Sequence, residues 1–251
     1  MGLLYVVGMG PGDPQYMTED ALAAIKDADV IAGYSKYVEL VRQVCPDTPA
    51  IATGMRHEVE RCRAALEKAA EGSTVAMVCS GDAGVFGMSG LIYELLEEYE
   101  GVEVKVISGV TAALSGSSVL GAPLTHDFAV ISLSDQLTSW ETIEKRLRGA
   151  GQADFCIVFY NPMSHSRPDN LRKASDILLE YREPENVCGW VRNIGREGEE
   201  SGICTLGELG DLELDMFTTV FVGNSQTRVI GGKMVTPRGY QAKDDGPRMK
   251  E

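Results

Sequence analysis

The sequence has few of the residues that build metal sites and cross-links. It contains three histidines and six cysteines, and no two of the cysteines form a Cys-x-x-Cys pair. Scattered single cysteines without a secretory leader indicate neither a disulfide framework nor a zinc site. We therefore expect no built-in metal ion, and we expect a reduced, cytoplasmic protein.

Basic residues are also scarce. Lys and Arg number 23 against 37 Asp and Glu, which gives a formal net charge of −14 and a pI near 4.7. Neutralising a phosphate backbone requires clustered cations, so we expect no nucleic-acid partner. No apolar run approaches the length of a membrane span, so we expect no membrane partner either. A small anionic ligand would need a local group of basic side chains.

Hydrophobic periodicity in the first half alternates between strand and helix. Strands are predicted at 3–7, 30–32, 74–79 and 102–107, and helices at about 18–28, 58–70 and 89–99. In the helix over 58–70, Val59, Cys62 and Leu66 fall on one face, which predicts that Arg61 lies in solvent. Such a βαβ series is typical of a mostly parallel sheet.

A second alternating series follows Gly121–Leu124. Strands are predicted at 128–133, 155–160, 187–191 and 216–222, and helices at 140–147 and 167–181, the first opened by a capping box of Thr138 and Glu141. The strand over 216–222 is expected to pair antiparallel with 203–206. The whole predicts an α/β protein of two α/β domains, 1–120 and 121–251, with a mixed C-terminal sheet, an active-site cleft between the domains and a frayed polar tail from Gln241.

The loop after the first strand reads GMGPGDP, with three glycines and two prolines in seven residues. Glycine permits positive φ and close approach of a ligand, whereas proline stiffens the chain. The dinucleotide fingerprint Gly-x-Gly-x-x-Gly does not fit, because glycines stand at alternate positions and Asp13 would repel a pyrophosphate. An ordinary strand-to-helix loop stays an alternative.

Three more loops follow predicted strands, where open α/β sheets place their ligands. They are Ser80–Gly87, Ser108–Ala112 and Tyr160–Pro162. Asp82 could bind an amine or ribose hydroxyls, and main-chain groups at Thr111 and Ala112 could contact an adenine. In an alternative interpretation, Asp82 caps a helix over Val85. No Gly-Lys-Ser/Thr sequence occurs, so the loops favour a nucleoside without phosphates.

Gly8–Pro14 with Thr18, Ser80–Asp82 and Ser108–Ala112 together resemble the donor-binding motifs of the tetrapyrrole (class III) methyltransferases, in matching order and spacing. Further motifs, including His126–Phe128, Asp135 and Asn224–Arg228, are similar to the branch that methylates C17 of corrinoid precursors in cobalamin biosynthesis. The resemblance implies S-adenosylmethionine as methyl donor, a tetrapyrrole acceptor, contraction of the macrocycle and a homodimer. The cysteine-rich extension that some relatives carry is not found in this sequence.

The same resemblance implies roles for particular residues. The donor-binding residues it implies are Met9, Pro11, Gly81, Asp82, Val85, Thr111, Ala112, Tyr160 and Asn161. A polycarboxylate acceptor is expected to contact Lys36, Arg56, Asp135 and Arg228. The other available basic residues are His57, Arg61, Arg167, Arg196 and Arg238. His126 and Asp127 are the predicted acid/base pair, with Tyr34 as a weaker candidate. In the alternative interpretation His126 only caps a loop and Asp127 only forms a salt bridge.

Two other functions stay open. A sister corrinoid methyltransferase would act at another ring carbon, and a noncatalytic nucleoside-binding module would use the same loops without transferring a methyl group. A dehydrogenase is disfavoured because the Gly-rich loop lacks the correct fingerprint.

Overall fold

The computed structural model describes residues 2–240, and these residues form two compact units. The first unit comprises the chain up to Ser115 together with Gly195–Glu197, and the second comprises Gly116–Ile194 and the chain from Gly198 onward. The predicted domains 1–120 and 121–251 stay a prediction. The polar tail from Gln241, for which fraying was expected, lies outside the described residues.

The first unit is built on a parallel sheet. Its strands are β1 (Gly2–Gly8), β2 (Val30–Tyr34), β3 (Ala50–Thr53), β4 (Thr74–Cys79) and β5 (Val102–Ile107), in the order β3-β2-β4-β1-β5. Its helices are α1 (Glu19–Asp27), α2 (Ser35–Val41), α3 (Glu58–Ala70) and α4 (Ser89–Leu96), and α5 (Ala112–Leu120) runs across the division between the units. All sheet pairings are parallel, which confirms the predicted βαβ series.

Helices cover both faces of this sheet. One core contains Cys62 and Leu66 of α3 with Ile92 of α4, and the other contains Ile25 of α1 with Val41 of α2. Helix α1 begins at an N-cap, since the Thr18 hydroxyl accepts a hydrogen bond from Ala21 N at 3.1 Å. The sequence prediction omitted α2, β3 and α5.

The second unit has a mixed sheet. Its strands β7 (Phe128–Ser132), β8 (Cys156–Tyr160), β9 (Val187–Arg192), β10 (Glu200–Thr205) and β11 (Thr218–Val222) follow the order β10-β9-β11-β8-β7. Helices α6 (Trp140–Gln152), α7 (Asn170–Leu179) and α8 (Leu206–Leu209) accompany it. Only β7 and β8 pair in parallel among these strands as described.

Two details of the second unit correct the prediction. Strand β11 is antiparallel as expected, but its partners are β8 and β9 rather than residues 203–206, because β10 lies on the other side of β9. The N-cap of α6 is Ser139, whose hydroxyl accepts from Thr142 N at 3.3 Å, and not Thr138.

A small second sheet completes this unit. It consists of β6 (Gly121–Ala122), β12 (Arg228–Ile230) and β13 (Lys233–Val235), in the order β12-β13-β6. None of the helices between residues 2 and 240 combines the length and the apolar character needed to cross a membrane.

Candidate functional site

The strand order of the first unit changes direction at β4, which creates a topological switch point there. The chain moves from β1 toward β2 on one side and from β4 toward β5 on the other, and β1 and β4 are neighbours. Connections that leave adjacent strands in opposite directions open a crevice at the carboxyl ends of those strands, where open α/β sheets bind ligands. The loops that border this crevice are Gly8–Pro14 and Ser80–Gly87. The topology thus places both predicted donor loops side by side.

The two loops are joined through their main chains. Gly10 N donates to the Gly81 carbonyl at 3.0 Å, and Gly81 N donates to the Gly10 carbonyl at 2.7 Å. Both glycines have positive φ, of 66° and 69°, which other residues rarely adopt. Met9 is fully buried and donates its N–H to the Cys79 carbonyl at 2.9 Å. The loops therefore form one stiff unit.

Asp82 connects this pair of loops to the loop after β5. Its Oδ1 accepts from Gly84 N at 2.8 Å and from Val85 N at 3.2 Å, and its Oδ2 accepts from Gly109 N at 2.9 Å. Helix α4 begins only at Ser89, so the carboxylate organises a turn and does not cap that helix. The contact with Val85 expected in the alternative interpretation is present, but within a loop.

Glycine is needed where the three loops meet. A Cβ at Gly109 would collide with the carbonyl oxygens of Gly81 and Gly8. A Cβ built on Gly81 would stand 3.5 Å from Thr111 Cα and 3.6 Å from Ala112 N. The structure therefore gathers the predicted donor residues of the first unit, which are Met9, Pro11, Gly81, Asp82, Val85, Thr111 and Ala112.

Arg196 contacts these loops from a distant part of the sequence. Its Nε donates to the Pro11 carbonyl and its Nη2 donates to the Ser80 hydroxyl, both at 2.6 Å, and its guanidinium lies 5.8 Å from the centre of the Tyr37 ring. Burial lowers the pKa of Arg196. Burial also raises the pKa of Tyr37, which the nearby guanidinium opposes, so the phenol stays neutral at pH 7. Sequence reasoning gave this arginine no specific position, since Pro11 is 185 residues away.

The second unit has its own group of polar residues at the carboxyl ends of β7 and β8. Ser132 pairs with Tyr160, and the Asn161 amide donates to the Ser132 hydroxyl at 3.1 Å. Asn161 has a φ of 52°, and the buried Asn170 donates to the Leu133 carbonyl at 2.8 Å. The structure thus brings together Tyr160, Asn161 and the segment that leads to the exposed Asp135.

A model of the family of tetrapyrrole (corrin/porphyrin) methylases matches residues 3–210. The chain belongs to this family.

Curated relatives extend over nearly the whole of this methylase. The chain is 46% identical to the probable cobalt-factor III C(17)-methyltransferase of Salmonella typhimurium, covering 95% of this chain and 99% of that protein. It is 39% identical to the precorrin-3B C(17)-methyltransferase of a Sinorhizobium species, covering 95% of this chain and 97% of that protein. It is 47% identical to the cobalt-factor III methyltransferase of Priestia megaterium, of which it spans only 46%.

Solved structures agree with the fold. The crystal structure of the methyltransferase CobJ matches with a TM-score of 0.86 and 38% identity, covering 94% of this chain and 100% of that one. The uroporphyrin-III C-methyltransferase of Thermus thermophilus, solved with S-adenyl homocysteine, matches with a TM-score of 0.69 and 26% identity. The match covers 88% of this chain and 97% of that one. The predicted fold class and family are confirmed.

The methylase has further predicted site residues beside the donor loops. Tyr34 ends β2 and Lys36 follows it, Arg56 follows β3, and these two strands pair in parallel, so the three residues share the sheet edge that carries the donor loops. Lys36 and Arg56 are exposed, and the Tyr34 ring meets Tyr37 edge-on at 5.1 Å. Arg56 has a φ of 67°.

Arg61 of the methylase contradicts the prediction of a solvated charge. It is 4% exposed, and its Nη1 donates to the Thr53 hydroxyl at 2.8 Å and to the Gly54 carbonyl at 3.4 Å. The end of β3 lies against this side of α3, which periodicity within the helix could not indicate. Val59 is 50% exposed, so its predicted place on the apolar face is also wrong.

His126 and Asp127 lie apart from the other predicted residues of the second unit. They precede β7, whereas Tyr160 and Asn161 are at the opposite end of the β7–β8 pair, roughly 17 Å or more away along the strand at about 3.3 Å per residue. His126 Nδ1 accepts from Asp127 N at 2.9 Å. Both side chains line a cavity of about 770 Å³ together with Arg238 and Tyr240. The structure does not bring this pair to the edge that carries Tyr160.

Arg228 is exposed at the start of β12, directly after a loop that internal hydrogen bonds stabilise. The buried Asn224 accepts through Oδ1 from Gln226 N at 3.0 Å and from the Thr227 hydroxyl at 3.2 Å. Ser225 N and Oγ donate to the Asp154 carboxylate at 2.9 and 2.6 Å. In this methylase, Asn224–Thr227 therefore stabilise a turn, and Arg228 is an exposed cation directly after it.

Proposed function

We propose that this methylase transfers the methyl group of S-adenosylmethionine to C17 of cobalt-factor III or precorrin-3B, with contraction of the macrocycle, in cobalamin biosynthesis. The observation that carries the proposal is the junction of the Gly8–Pro14, Ser80–Gly87 and Ser108–Ala112 loops at the switch point. The names of relatives that cover nearly the whole chain support the choice of acceptor.

The junction suits a nucleoside donor. The glycines of the three loops pack closely on neighbouring main chain, and main-chain hydrogen bonds bridge the loops, so the junction is preorganised to hold a donor. The Asp82 carboxylate accepts from three N–H groups and thereby fixes the loops, so we assign it to shaping the donor pocket. Thr111 and Ala112 stand beside Gly81 and supply the adenine contacts.

The sulfonium of the donor already activates the methyl group, so the protein mainly has to position the two reactants. The C–S bond of the sulfonium breaks as the C–C bond to the acceptor forms, and neutral S-adenosylhomocysteine leaves. The residues must hold the acceptor carbon behind the methyl group, and such alignment can lower a barrier by roughly 7–11 kcal/mol. Lys36 and Arg56 are the exposed cations at the same sheet edge of the first unit, and we assign them to carboxylates of the acceptor.

Proton movement during ring contraction needs an acid or base. His126 and Asp127 stay the predicted pair, although they lie at the far end of β7 from Tyr160. Tyr34, next to Tyr37 at the donor-loop edge, is the alternative that the first unit favours. A pH profile of the rate for H126A and Y34F distinguishes the two.

The six cysteines support a reducing compartment, since all are free thiols, and we propose that the reaction takes place in the cytoplasm. We also propose a homodimer, as the family resemblance implies. Sedimentation equilibrium at two protein concentrations tests it, and a monomer mass at both contradicts it.

The deciding experiment is anaerobic incubation with methyl-labelled donor and three separate acceptors, followed by mass spectrometry. We expect one labelled methyl group on cobalt-factor III or precorrin-3B, located at C17 by NMR, and none on uroporphyrinogen III. Label at another carbon would indicate the sister-enzyme alternative. Donor binding without any labelled product from all three acceptors would indicate a noncatalytic module.

A further inference from the structure

Arg196 is a cation in the first unit, and within residues 2–240 it forms no salt bridge. Among the described residues no carboxylate lies within 4.0 Å of its guanidinium, although acids outnumber bases 37 to 23 in the sequence. Removing a charge from water is costly unless an opposite charge or hydrogen bonds compensate it. Its two hydrogen bonds go to neutral acceptors, the Pro11 carbonyl and the Ser80 hydroxyl.

The surroundings hold this guanidinium in one orientation. Nε and Nη2 are fixed by the two bonds of 2.6 Å, and the ring of Tyr37 lies under the guanidinium at 5.8 Å. A Cβ at Gly12 would stand 3.0 Å from Nε, and Gly195, with a φ of 64°, would bring a Cβ 3.0 Å from the Pro11 ring. Both glycines therefore allow the loop that carries Arg196 to pack against the opening loop.

One side of the guanidinium stays available for a ligand. Nη1 has no protein partner in residues 2–240, and it is not among the fully buried nitrogens without a partner, so solvent reaches it. The two acids in the loops that Arg196 contacts accept from main-chain N–H groups: Asp82 from Gly84, Val85 and Gly109, and Asp13 from Gln15. A planar guanidinium with a free edge matches the two oxygens of a carboxylate.

We propose that Arg196 binds a carboxylate of a ligand held at the junction of the donor loops. The inference rests on the proposed function and adds to it a recognition residue for the ligand's negative charge. Two ligands could supply this group: the amino-acid carboxylate of the methyl donor, or an acetate or propionate side chain of the tetrapyrrole.

Two probes separate these sources. S-adenosylhomocysteine carries the amino-acid carboxylate, whereas 5′-methylthioadenosine has the same nucleoside and a thioether but no carboxylate. Calorimetry with both on wild type, R196Q and R196K measures the contribution of the guanidinium. R63Q is the matched control, because Arg63 is a surface residue of the same unit, paired with Glu98. Thermal melts of every variant establish that it is folded.

If Arg196 binds the donor, R196Q lowers the affinity for S-adenosylhomocysteine about 10- to 100-fold, as expected for the loss of a charged hydrogen bond. The affinity for 5′-methylthioadenosine then stays unchanged. If it binds the acceptor, both dissociation constants stay at wild-type values and the KM for the tetrapyrrole rises about tenfold or more. R196K keeps the positive charge but lacks the paired N–H donors of a guanidinium. Whichever value R196Q changes, the dissociation constant of S-adenosylhomocysteine or the KM for the tetrapyrrole, R196K should give a value between those of wild type and R196Q. R63Q behaves as wild type.

Two outcomes overturn the proposal. Equal weakening of both probes would mean that Arg196 only supports the loops, and unchanged values for both probes and for the tetrapyrrole KM would mean that it binds no ligand. Failure of wild type to bind either probe contradicts the proposed function itself, and is thereby distinguished from failure of this assignment.

Discussion

Asp82 and Gly109 are joined by a hydrogen bond of 2.9 Å from the Gly109 N–H to the Asp82 Oδ2, across 27 residues of sequence. This bond connects the loop after β4 to the loop after β5, on either side of the loop after β1. A single carboxylate thereby bridges two of the three loops, and the main-chain bonds between Gly10 and Gly81 join the third.

Replacing Asp82 by alanine removes the acceptor for three main-chain N–H groups. We expect a loss of about 1–3 kcal/mol in the free energy of unfolding, because partly buried donors lose their partner, and a loss of S-adenosylhomocysteine binding. Urea denaturation and calorimetry measure the two effects. D82N, which keeps one acceptor oxygen, is expected to lose less of both. An unchanged dissociation constant for D82A contradicts the role given to this residue.

Gly109 tests the close approach of the three loops. A methyl group there collides with the carbonyl oxygens of Gly81 and Gly8, so G109A must displace main chain. We expect donor affinity to fall by at least tenfold and the melting temperature to drop.

The control for this change is G90A. No atom lies within 4 Å of a Cβ at Gly90, which is exposed on α4, so alanine there should stabilise the protein by roughly 0.5–1 kcal/mol and leave donor affinity unaltered. If G109A and G90A bind S-adenosylhomocysteine equally well, the junction is not the donor site.

Sequence patterns predicted the long periodic elements well. The helix predicted over 58–70 is α3, and four strands of the parallel sheet were placed from apolar runs flanked by turn residues. Short elements were missed for a physical reason. Strand β3 has four residues, and α5 is rich in Gly and Ser, whose low helix propensity hides a helix that tertiary packing stabilises.

The sequence predicted those residues of the candidate site that lie in loops directly after strands. It did not predict contacts made by residues that are distant in the sequence. Gly81, Asp82, Thr111 and Ala112 follow strands of one parallel sheet, so their proximity follows from the fold class. Arg196 reaches Pro11 from a loop after β9, and local sequence contains no sign of that contact. His126 preceded a predicted strand, which already placed it away from residues that follow one.

Arg61 provides a test of a buried cation. Its guanidinium is 4% exposed and bonds the Thr53 hydroxyl and the Gly54 carbonyl, while Glu58 is 3.8 Å away. We expect R61A to lower the free energy of unfolding by about 2–4 kcal/mol, since packing and hydrogen bonds are both lost. R63A, at a half-exposed position of the same helix, is expected to change it much less, because solvent screens its ion pair with Glu98. Equal effects in urea denaturation would contradict the burial of Arg61.

The thiols predict a specific dependence on pH. Burial raises the pKa of Cys79 from its ordinary value of 9.0 to about 11 and that of Cys62 to about 12. The folded protein therefore keeps these protons where the unfolded chain loses them, so their contribution to stability is fully present below about pH 9 and declines as the pH rises toward 11. The stability difference between wild type and C79A, from urea denaturation, should accordingly shrink between pH 8 and pH 10.

Native protein at pH 8 should also react only slowly with a thiol reagent such as DTNB, and all six cysteines should react after denaturation. Rapid labelling of Cys79 in the native protein, located by peptide mass spectrometry, would contradict its burial directly behind Ser80 and the donor loop.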